Sequence, residues 1–571
     1  MPIAANPAAT TGLPIATGPT ASADPATPRS PAAPTDPTDP TDPAAPTDPA
    51  TPTDPAAAPV PAKPVRACAD LVGDHALPGA GARVERATPV PAGAEPEHCD
   101  VRGHVEPAVR FHLKLPTTYS GRYLQYGCGG LCGELTAPGI RSCAPEPGDF
   151  AVATTDDGHV GEGPVPSLDG RWAARDQAAR DDFAFRAPHV VSLAAKHLIG
   201  VYYGEPPRVS YFDGCSTGGR EGLLLAQRYP HDFDGVIAGA PANYFSALAL
   251  YQAWLARTNT DRSGGPILGA DKLPALHDAV LARCDGLDGL VDGRLDDPRR
   301  CDFDPASAQC PTGVDDPSCL TPDQVAVVRA YYRGPVDEHG RRLYPAAQPR
   351  GSEPAWAGWV TPLPGVGPLA SALADNYLSH LGYPLGTPHS SVDQVGFTAR
   401  ELHRLAVEGR RANAAALDLS GFRRAGGRLL LWHGWADQAI PPGGLLDYYE
   451  RLTRRNGGPE ATRRWARVFM VPAAHHCGGA LTAFDPLREL VRWTEDGTAP
   501  DRVIVSTRTA DGAVTRTRPV FAYPAQARYD GSGSIDDAAN FVPVPPSDPP
   551  RDAVDWAGSF LHHLPGPVTR P

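Results

Sequence analysis

The fold is decided by one stretch of the chain, Arg208-Val-Ser-Tyr-Phe-Asp-Gly-Cys-Ser-Thr-Gly-Gly-Arg-Glu-Gly-Leu-Leu-Leu225. It opens with an alternating apolar run over residues 209–212, which predicts a strand. A tight turn follows at Gly214-Cys-Ser-Thr-Gly218, which matches the pattern G-x-S-x-G. Helical apolar spacing then begins at Leu223. The pattern is short, but a strand before it and a helix after it supply the context that the motif requires.

Such a turn is the nucleophile elbow of the α/β-hydrolases, in which a strained strand-to-helix turn lifts the Ser hydroxyl above the sheet. Further buried strands are predicted at residues 111–115, 122–127, 149–155, 233–241, 428–434 and 465–471. Helices are predicted over residues 182–199, 445–452 and 481–493, and a hairpin joins residues 502–506 to 514–517. Alternating strands and helices predict the α/β class, with a doubly wound, mostly parallel sheet covered on both faces.

Composition divides the chain into four parts. Residues 1–64 are almost entirely Ala, Pro, Thr and Asp, which predicts a disordered tail. Residues 65–242 and 423–571 carry the two halves of the hydrolase core. Between them, residues 243–422 are rich in Pro, Gly and Cys with short helical pieces such as 322–332, and we expect an insertion over the sheet, termed the lid. Trp356 and Trp359 of this segment are candidates for packing against an aromatic ring, but packing in a core is the more common role and is the one we expect.

Charge and cysteine content limit the partners and the location. The 571 residues carry a net charge of −13, which argues against a nucleic-acid partner. No run of about 18 apolar residues occurs, so no membrane-spanning helix is predicted. The first ten residues lack the basic and apolar regions of a signal peptide. The 11 cysteines nevertheless favour an extracellular protein, and we give them more weight.

Two further segments supply the partners that a nucleophilic serine needs. A serine hydrolase requires a His that accepts the serine proton and a carboxylate that orients the His, in the chain order Ser, acid, His. Asp437 follows the predicted strand at 428–434, and His475 and His476 follow the strand at 465–471. Each residue taken singly is more often an ordinary loop residue. Together and in this order they predict a catalytic triad of Ser216, Asp437 and one of the two histidines.

Two cysteines flank this predicted triad. Cys215 precedes the serine and Cys477 follows His476. Because Ser and His lie within hydrogen-bond reach in a triad, their neighbours come close enough to form a disulfide. A Cys215–Cys477 bridge would select His476 over His475. The alternative is a pair of buried free thiols, which a reducing compartment would favour.

The sequence resembles the tannase and feruloyl esterase family in its Cys215-Ser216, Asp437 and His476-Cys477 arrangement. The segments Arg228-Tyr-Pro-His-Asp-Phe-Asp-Gly235 and Asp157-Gly-His159 also fit. The resemblance covers about residue 67 onward and implies an α/β-hydrolase with a Cys215–Cys477 bridge. It also implies an oxyanion hole made by the N–H of Thr217 and an N–H in the turn Gly127-Cys-Gly-Gly130. Since Cys128 interrupts the glycine run, both Gly129 and Gly130 remain candidates.

An acidic loop in the lid, Cys284-Asp-Gly-Leu-Asp-Gly-Leu-Val-Asp-Gly-Arg294, offers hard oxygen ligands of the kind that Ca²⁺ prefers. From the residues alone a solvated acidic turn is as good an interpretation. The resemblance implies a structural Ca²⁺ ion and no organic cofactor. The implied ligands are the side chains of Asp285, Asp288 and Asp292 and the carbonyl groups of Leu290 and Arg294.

The resemblance also implies three further disulfides, Cys284–Cys301 and Cys310–Cys319 in the lid and Cys68–Cys99 near the start of the core. Three cysteines are then left, Cys128, Cys132 and Cys143. Because an odd number cannot pair completely, one free thiol is expected.

The leading functional hypothesis is a serine carboxylesterase that hydrolyses small aromatic carboxylic esters, of the feruloyl or galloyl type, through an acyl-enzyme. The aromatic preference follows from the resemblance alone. An esterase for terephthalate-type or non-aromatic esters is one alternative. A non-catalytic, secreted wall-binding protein with a Pro-rich tail is another, and the presence of Ser216, Asp437 and His476 argues against it.

Overall fold

The structure, a computed structural model, describes residues 61–142, 148–478, 482–509, 511–546 and 551–563. The predicted disordered tail falls outside these ranges except for its last four residues. Within those four, Ala62 forms an antiparallel bridge with Tyr119. The described chain therefore joins the fold slightly before the boundary expected at residue 65.

A central sheet organises the described chain. Its strands are β1 Gly73–Leu77, β2 Ala80–Val90, β3 His98–Val105, β4 Val109–Pro116, β5 Tyr119–Tyr126, β6 Asp149–Thr155, β7 Val209–Cys215, β8 Gly235–Gly239, β9 Arg428–Gly434 and β10 Ala466–Val471. Their spatial order is β1-β2-β3-β4-β6-β5-β7-β8-β9-β10. The pairs from β6 through β5 and β7 to β10 are parallel, and the pairs from β1 to β6 are antiparallel. The predicted α/β-hydrolase core with a mostly parallel sheet is confirmed, and its parallel part carries the elbow strand β7.

Helices surround this sheet and extend from it. They are α1 Gln177–Asp181, α2 Ala187–Tyr203, α3 Thr217–Arg228, α4 Phe245–Thr258, α5 Leu273–Cys284, α6 Pro322–Arg333, α7 Leu369–Asn376, α8 Ala399–Gly409, α9 Ser420–Arg424, α10 Gly443–Arg455, α11 Pro459–Arg463 and α12 Pro486–Glu495. A π-helical turn, Asp182–Arg186, leads into α2. Helices α4 to α9 lie in the chain segment between β8 and β9, which contains the predicted lid. None of the helices in the described ranges has the length and apolar character needed to cross a membrane.

Two apolar cores lie on opposite faces of the sheet. Successive strand residues point to opposite faces, so Phe212 packs with α2 and α3 while Tyr211 packs with α12. Val236 and Ile237 divide in the same way between the two cores. This arrangement places the carboxyl ends of β7, β9 and β10 along one edge of the sheet, which is where the elbow and the two candidate partner loops leave it.

Two smaller sheets complete the described fold: β11 Thr482–Ala483 with β12 Arg502–Arg508 and β13 Val514–Phe521, and β14 Gln526–Tyr529 with β15 Phe541–Val544. The predicted hairpin corresponds to β12 and β13. The helix predicted from residue 481 was too long at its start. Asp485 caps α12 by accepting the Arg488 N–H at 3.4 Å, and Pro486 occupies the first helical turn, so the helix begins there.

Candidate active site

The elbow has the backbone strain that the motif predicts. Ser216 has φ 65° and ψ −120°, a conformation that non-glycine residues rarely adopt. It lies between β7, which ends at Cys215, and α3, which begins at Thr217. A Cβ atom on Gly214 would lie 2.4 Å from the Gly218 backbone, so glycine is needed where the strand and helix cross. The turn fixes the Ser216 side chain at the edge of a pocket.

Asp437 and His476 form the acid–base pair of the site. His476 Nδ1 lies 2.8 Å from Asp437 Oδ2. The other carboxylate oxygen, Oδ1, accepts the N–H groups of Ala439 and Ile440, each at 2.8 Å. Burial acts to raise the pKa of Asp437, but electrostatic attraction to His476 and the hydrogen bonds from His433 and His476 lower that pKa below its usual range. The buried carboxylate therefore stays ionised.

A second histidine supports the same carboxylate and was not predicted from the sequence. His433 Nε2 lies 3.1 Å from Asp437 Oδ2 and 2.8 Å from the Ile440 carbonyl, both acceptors, so we assign the proton to this nitrogen. The same reasoning places a proton on His476 Nδ1. The Nε2 atom of His476 is then left unprotonated and available as a base. His475 makes no such bond, and burial lowers its pKa.

A disulfide joins the serine turn to the histidine loop. Cys215 and Cys477 are bonded with a Cα–Cα distance of 5.9 Å. Ser216 and His476 line the same pocket, although no hydrogen bond links Ser216 Oγ to the imidazole among the described contacts. Such catalytic hydrogen bonds are often long without substrate. The structure thus brings together all three residues of the predicted triad.

The two glycine candidates for the oxyanion hole have different surroundings. Gly130 lines the pocket beside Thr217, with φ 59°, and a Cβ atom there would lie 2.4 Å from the Ser167 carbonyl oxygen. Gly129 is exposed, and a Cβ atom there would meet nothing within 4 Å. The Thr217 hydroxyl donates to the Gly130 carbonyl at 2.6 Å. These contacts favour Gly130 over Gly129.

The rest of the pocket wall is apolar and comes largely from the segment between β8 and β9. Its apolar side chains include Leu131, Ala242, Phe245, Leu248, Ala249, Leu373 and Ile440. Among the described lining residues, only His476 and Tyr377 have ionisable side chains, and Gln252 supplies an amide. Trp359 also lines the pocket, with its ring centroid 5.8 Å from that of His476, so its surroundings favour contact with a bound ring over the core packing expected for it. Trp356 is fully buried, as expected.

The acidic loop forms a compact turn. Asp285 accepts the N–H groups of Gly293 and Arg294. Asp288 accepts the Leu290 N–H at 2.9 Å. Burial raises the pKa of Asp288, and the neighbouring Asp292 and Asp285 raise it further.

Arginines of β13 partly neutralise this loop. Asp292 pairs with Arg518 and, at 3.2 Å, with Arg516. Asp296, just beyond the loop, is not one of the predicted ligands. Burial and the charge of Asp288 raise the pKa of Asp296 to about 7. An excess of closely spaced carboxyl groups therefore persists despite the arginines.

The structure contains the other implied disulfides, Cys68–Cys99, Cys284–Cys301 and Cys310–Cys319. It also contains Cys128–Cys132, a pairing that the sequence left open. Cys143, the remaining cysteine, lies outside the described residues.

Comparison with known proteins identifies the family. The family model for tannase and feruloyl esterase matches residues 95–544. The chain is 32% identical over 562 residues to mono(2-hydroxyethyl) terephthalate hydrolase from Piscinibacter sakaiensis, covering 84% of this chain and 91% of that protein. It is 31% identical to a probable feruloyl esterase B-1 from Aspergillus fumigatus, covering 74% and 80%.

Among solved structures, feruloyl esterase B from Aspergillus oryzae superposes with a TM-score of 0.70 at 26% identity, covering 81% of this chain and 97% of that one. The family match includes the elbow and the two partner loops, and the alignments with these relatives cover most of the chain. The chain belongs to the tannase and feruloyl esterase family and is a carboxylic ester hydrolase.

Proposed function

We propose that the protein hydrolyses small, uncharged carboxylic esters by a serine mechanism, with Ser216 as nucleophile, His476 as base and Asp437 as the orienting carboxylate. The observation that carries this proposal is the 2.8 Å contact between His476 Nδ1 and Asp437 Oδ2 beside a strained serine turn. It leaves His476 Nε2 free to face the pocket that Ser216 lines.

In this mechanism Ser216 Oγ attacks the ester carbonyl carbon while His476 Nε2 takes the hydroxyl proton. The oxyanion receives the N–H groups of Thr217 and Gly130. Collapse of the tetrahedral intermediate releases the alcohol, to which His476 returns the proton, and leaves an acyl group on Ser216. A water molecule, deprotonated by His476, then releases the acid. Each N–H donor contributes roughly 3 kcal/mol to lowering such a barrier.

The pocket favours an acyl group without charge. No cationic side chain occurs among its described lining residues, whereas Phe245, Leu248 and Leu373 form an apolar surface. Placing an unpaired carboxylate against that surface is costly, because a buried charge needs a partner. We therefore favour neutral feruloyl- or benzoyl-type groups over the terephthalate alternative.

Pocket size makes a second distinction. The cavity beside Ser216 measures ≈ 60 Å³, whereas a cavity that holds benzene measures about 150 Å³. Acetyl esters fit as the pocket stands. An aromatic acyl group is larger than this cavity, so we include in the proposal that the lid, residues 243–422, which contributes Trp359, Leu373 and Tyr377 to the wall, moves outward to admit it.

The acidic loop fits a structural Ca²⁺ ion. Side-chain oxygens of Asp285, Asp288 and Asp292 supply hard donors, and the carbonyl groups of Leu290 and Arg294 accept no hydrogen bond from the described residues. Burial and the nearby Asp292 and Asp285 raise the pKa of Asp288, which indicates negative charge that a cation would offset. The ion would stabilise the loop and takes no part in the reaction.

Five disulfides in the described residues support an oxidising location, and we propose that the protein is secreted.

A matched substrate pair tests the proposed acyl preference. Dimethyl terephthalate and monomethyl terephthalate share a ring and differ by one charge. Because burying an unpaired carboxylate costs several kcal/mol, kcat/KM should be at least ~10²-fold higher for the diester. Methyl ferulate and p-nitrophenyl acetate complete the panel. Equal rates for the diester and monoester would refute the neutral-acyl proposal. Hydrolysis that survives Ser216→Ala would refute the serine mechanism itself.

A further inference from the structure

The loop that carries Gly130 is closed on itself by the Cys128–Cys132 disulfide. Cys128 and Cys132 are bonded across a sequence separation of 4, and both glycine candidates for the oxyanion hole lie between them. The Cys132 N–H also donates to the Gly129 carbonyl at 2.9 Å. So small a ring leaves the backbone few conformations. The direction of the Gly130 N–H is therefore set inside this ring.

Two buried carboxyl groups lie beneath the disulfide. Asp157 and Glu221 are 0% and 2% exposed. One carboxylate oxygen of each lies within 4.8 Å of both sulfur atoms, and these two oxygens lie within the same distance of each other. Cys128 Sγ lies 2.9 Å from Glu221 Oε1 and 3.3 Å from Asp157 Oδ2. A bonded sulfur has no proton to donate, so any proton in these contacts comes from a carboxyl group.

The charge around the pair is only partly balanced. Burial and the Glu221 charge raise the pKa of Asp157 well above its usual range, and burial also raises the pKa of Glu221 against the opposing effect of Arg220. Arg220 is fully buried and its guanidinium donates to the carbonyl groups of Phe183 and Ala184. With one cation, Arg220, beside two buried carboxyl groups, the charges balance when Asp157 and Glu221 together retain one proton. Glu221 then keeps a carboxylate oxygen for the loop.

Three hydrogen bonds dock the loop on the first turns of α3, directly after Ser216. The Cys128 N–H donates to Glu221 Oε2 at 3.3 Å. The Gly218 N–H donates to the Cys128 carbonyl at 2.8 Å, and the Thr217 hydroxyl donates to the Gly130 carbonyl. The serine and the proposed second oxyanion donor are thus held on one helix terminus. The disulfide and Glu221 fix the end of the loop that starts at Cys128.

We propose that the Cys128–Cys132 disulfide and Glu221 are positioning elements of the active site, which hold the Gly130 N–H toward the oxyanion formed at Ser216. This inference rests on the proposed serine mechanism. Neither element touches the reacting atoms. Both act by fixing the loop backbone on α3.

The first test removes this disulfide and compares the effect on activity with that of removing a remote disulfide. The double variant Cys128→Ser/Cys132→Ser should lower kcat for p-nitrophenyl acetate by ~10²-fold, the effect of losing one oxyanion donor, with little change in KM. Its control is Cys310→Ser/Cys319→Ser, which opens a lid loop of separation 9. Because the longer loop contributes at least as much to stability, the control should lose as much Tm and keep its kcat. Reducing agents are unsuitable, since they also attack Cys215–Cys477.

A second readout separates positioning from general destabilisation. A trifluoromethyl ketone forms a tetrahedral adduct with Ser216 and uses the same oxyanion donors, so its affinity should fall by the same factor as kcat/KM in the loop variant and stay unchanged in the control. Glu221→Gln retains an acceptor for the Cys128 N–H and should keep most of the activity. Glu221→Ala removes that acceptor and should lose most of the activity. This pair keeps the test decisive if the double variant does not fold.

Several results would overturn the inference. A folded Cys128→Ser/Cys132→Ser variant with wild-type kcat would do so, as would equal activity of Glu221→Gln and Glu221→Ala. Thiols at Cys128 and Cys132 in the native protein, holding a zinc ion with the two carboxylates, would contradict the disulfide itself. If Ser216→Ala is inactive while the loop variant is fully active, this inference alone fails. If Ser216→Ala retains activity, the proposed function fails.

Discussion

Substitution of the two adjacent glycines gives a sharp test of which N–H serves the oxyanion. In Gly130→Ala the new Cβ would lie 2.4 Å from the Ser167 carbonyl oxygen, where ordinary contact begins at 3.4 Å, so the loop must move by about 1 Å. The positive φ of 59° adds roughly 1–2 kcal/mol of backbone strain. A displacement of this size takes the N–H out of hydrogen-bond range and should lower kcat by ~10²–10³-fold.

Gly129→Ala is the matched control, because its Cβ would meet nothing within 4 Å and the residue is exposed. Both variants are assayed with p-nitrophenyl acetate, with kcat and KM determined separately and with Tm recorded as a check on folding. The control should retain wild-type kcat. A Gly130→Ala enzyme that is folded and fully active, or a Gly129→Ala enzyme that is the impaired one, would refute the assignment of Gly130.

Three further predictions concern the triad, the Cys215–Cys477 bridge and the acidic loop. Asp437→Asn should lower kcat by ~10⁴-fold. The pKa of Asp437 is lower in the folded protein than in the unfolded chain, where it is about 3.9. The ionised carboxylate therefore stabilises the fold above that value, and this stabilisation is lost as the pH falls through the folded pKa. The difference in unfolding free energy between wild type and Asp437→Asn should accordingly narrow below about pH 4. The double variant Cys215→Ser/Cys477→Ser opens a loop of separation 262 and should lose up to roughly 5 kcal/mol in denaturant unfolding together with activity, and undiminished stability would contradict a bridge. Chelation with EDTA should lower the Tm of the wild type, and added Ca²⁺ should restore it. Added Ca²⁺ should not raise the Tm of Asp288→Asn. A wild-type Tm that changes with neither treatment would refute the calcium proposal.

The catalytic half of the fold was predictable because its signals are local. The run that became β7 alternates in apolar residues, those that became β9 and β10 are largely apolar, and the elbow between β7 and α3 carries its own motif. The strands β1, β2 and β3 were not predicted. In β2 most side chains are exposed or half-buried, so its sequence shows no clear alternation of apolar residues.

The missed parts of the site depend on contacts between distant segments. His433 lies at the end of a predicted strand, and its position four residues before Asp437 was an available signal that the strand pattern obscured. The pairing of Asp157 with Glu221 joins two segments that sequence reasoning treated separately. The bond between Cys128 and Cys132 could not be chosen while Cys143 was an equal candidate. Such choices require the tertiary fold.

Covalent labelling of the nucleophile tests the central claim most directly. The account predicts that a fluorophosphonate attaches once per protein molecule, to the peptide that contains Ser216, and that ester hydrolysis is lost in proportion to labelling. His476→Ala should react far more slowly, because the base that activates the hydroxyl is missing. Labelling at another residue with loss of activity, or a protein that remains fully active after Ser216 is labelled, would contradict the proposed mechanism.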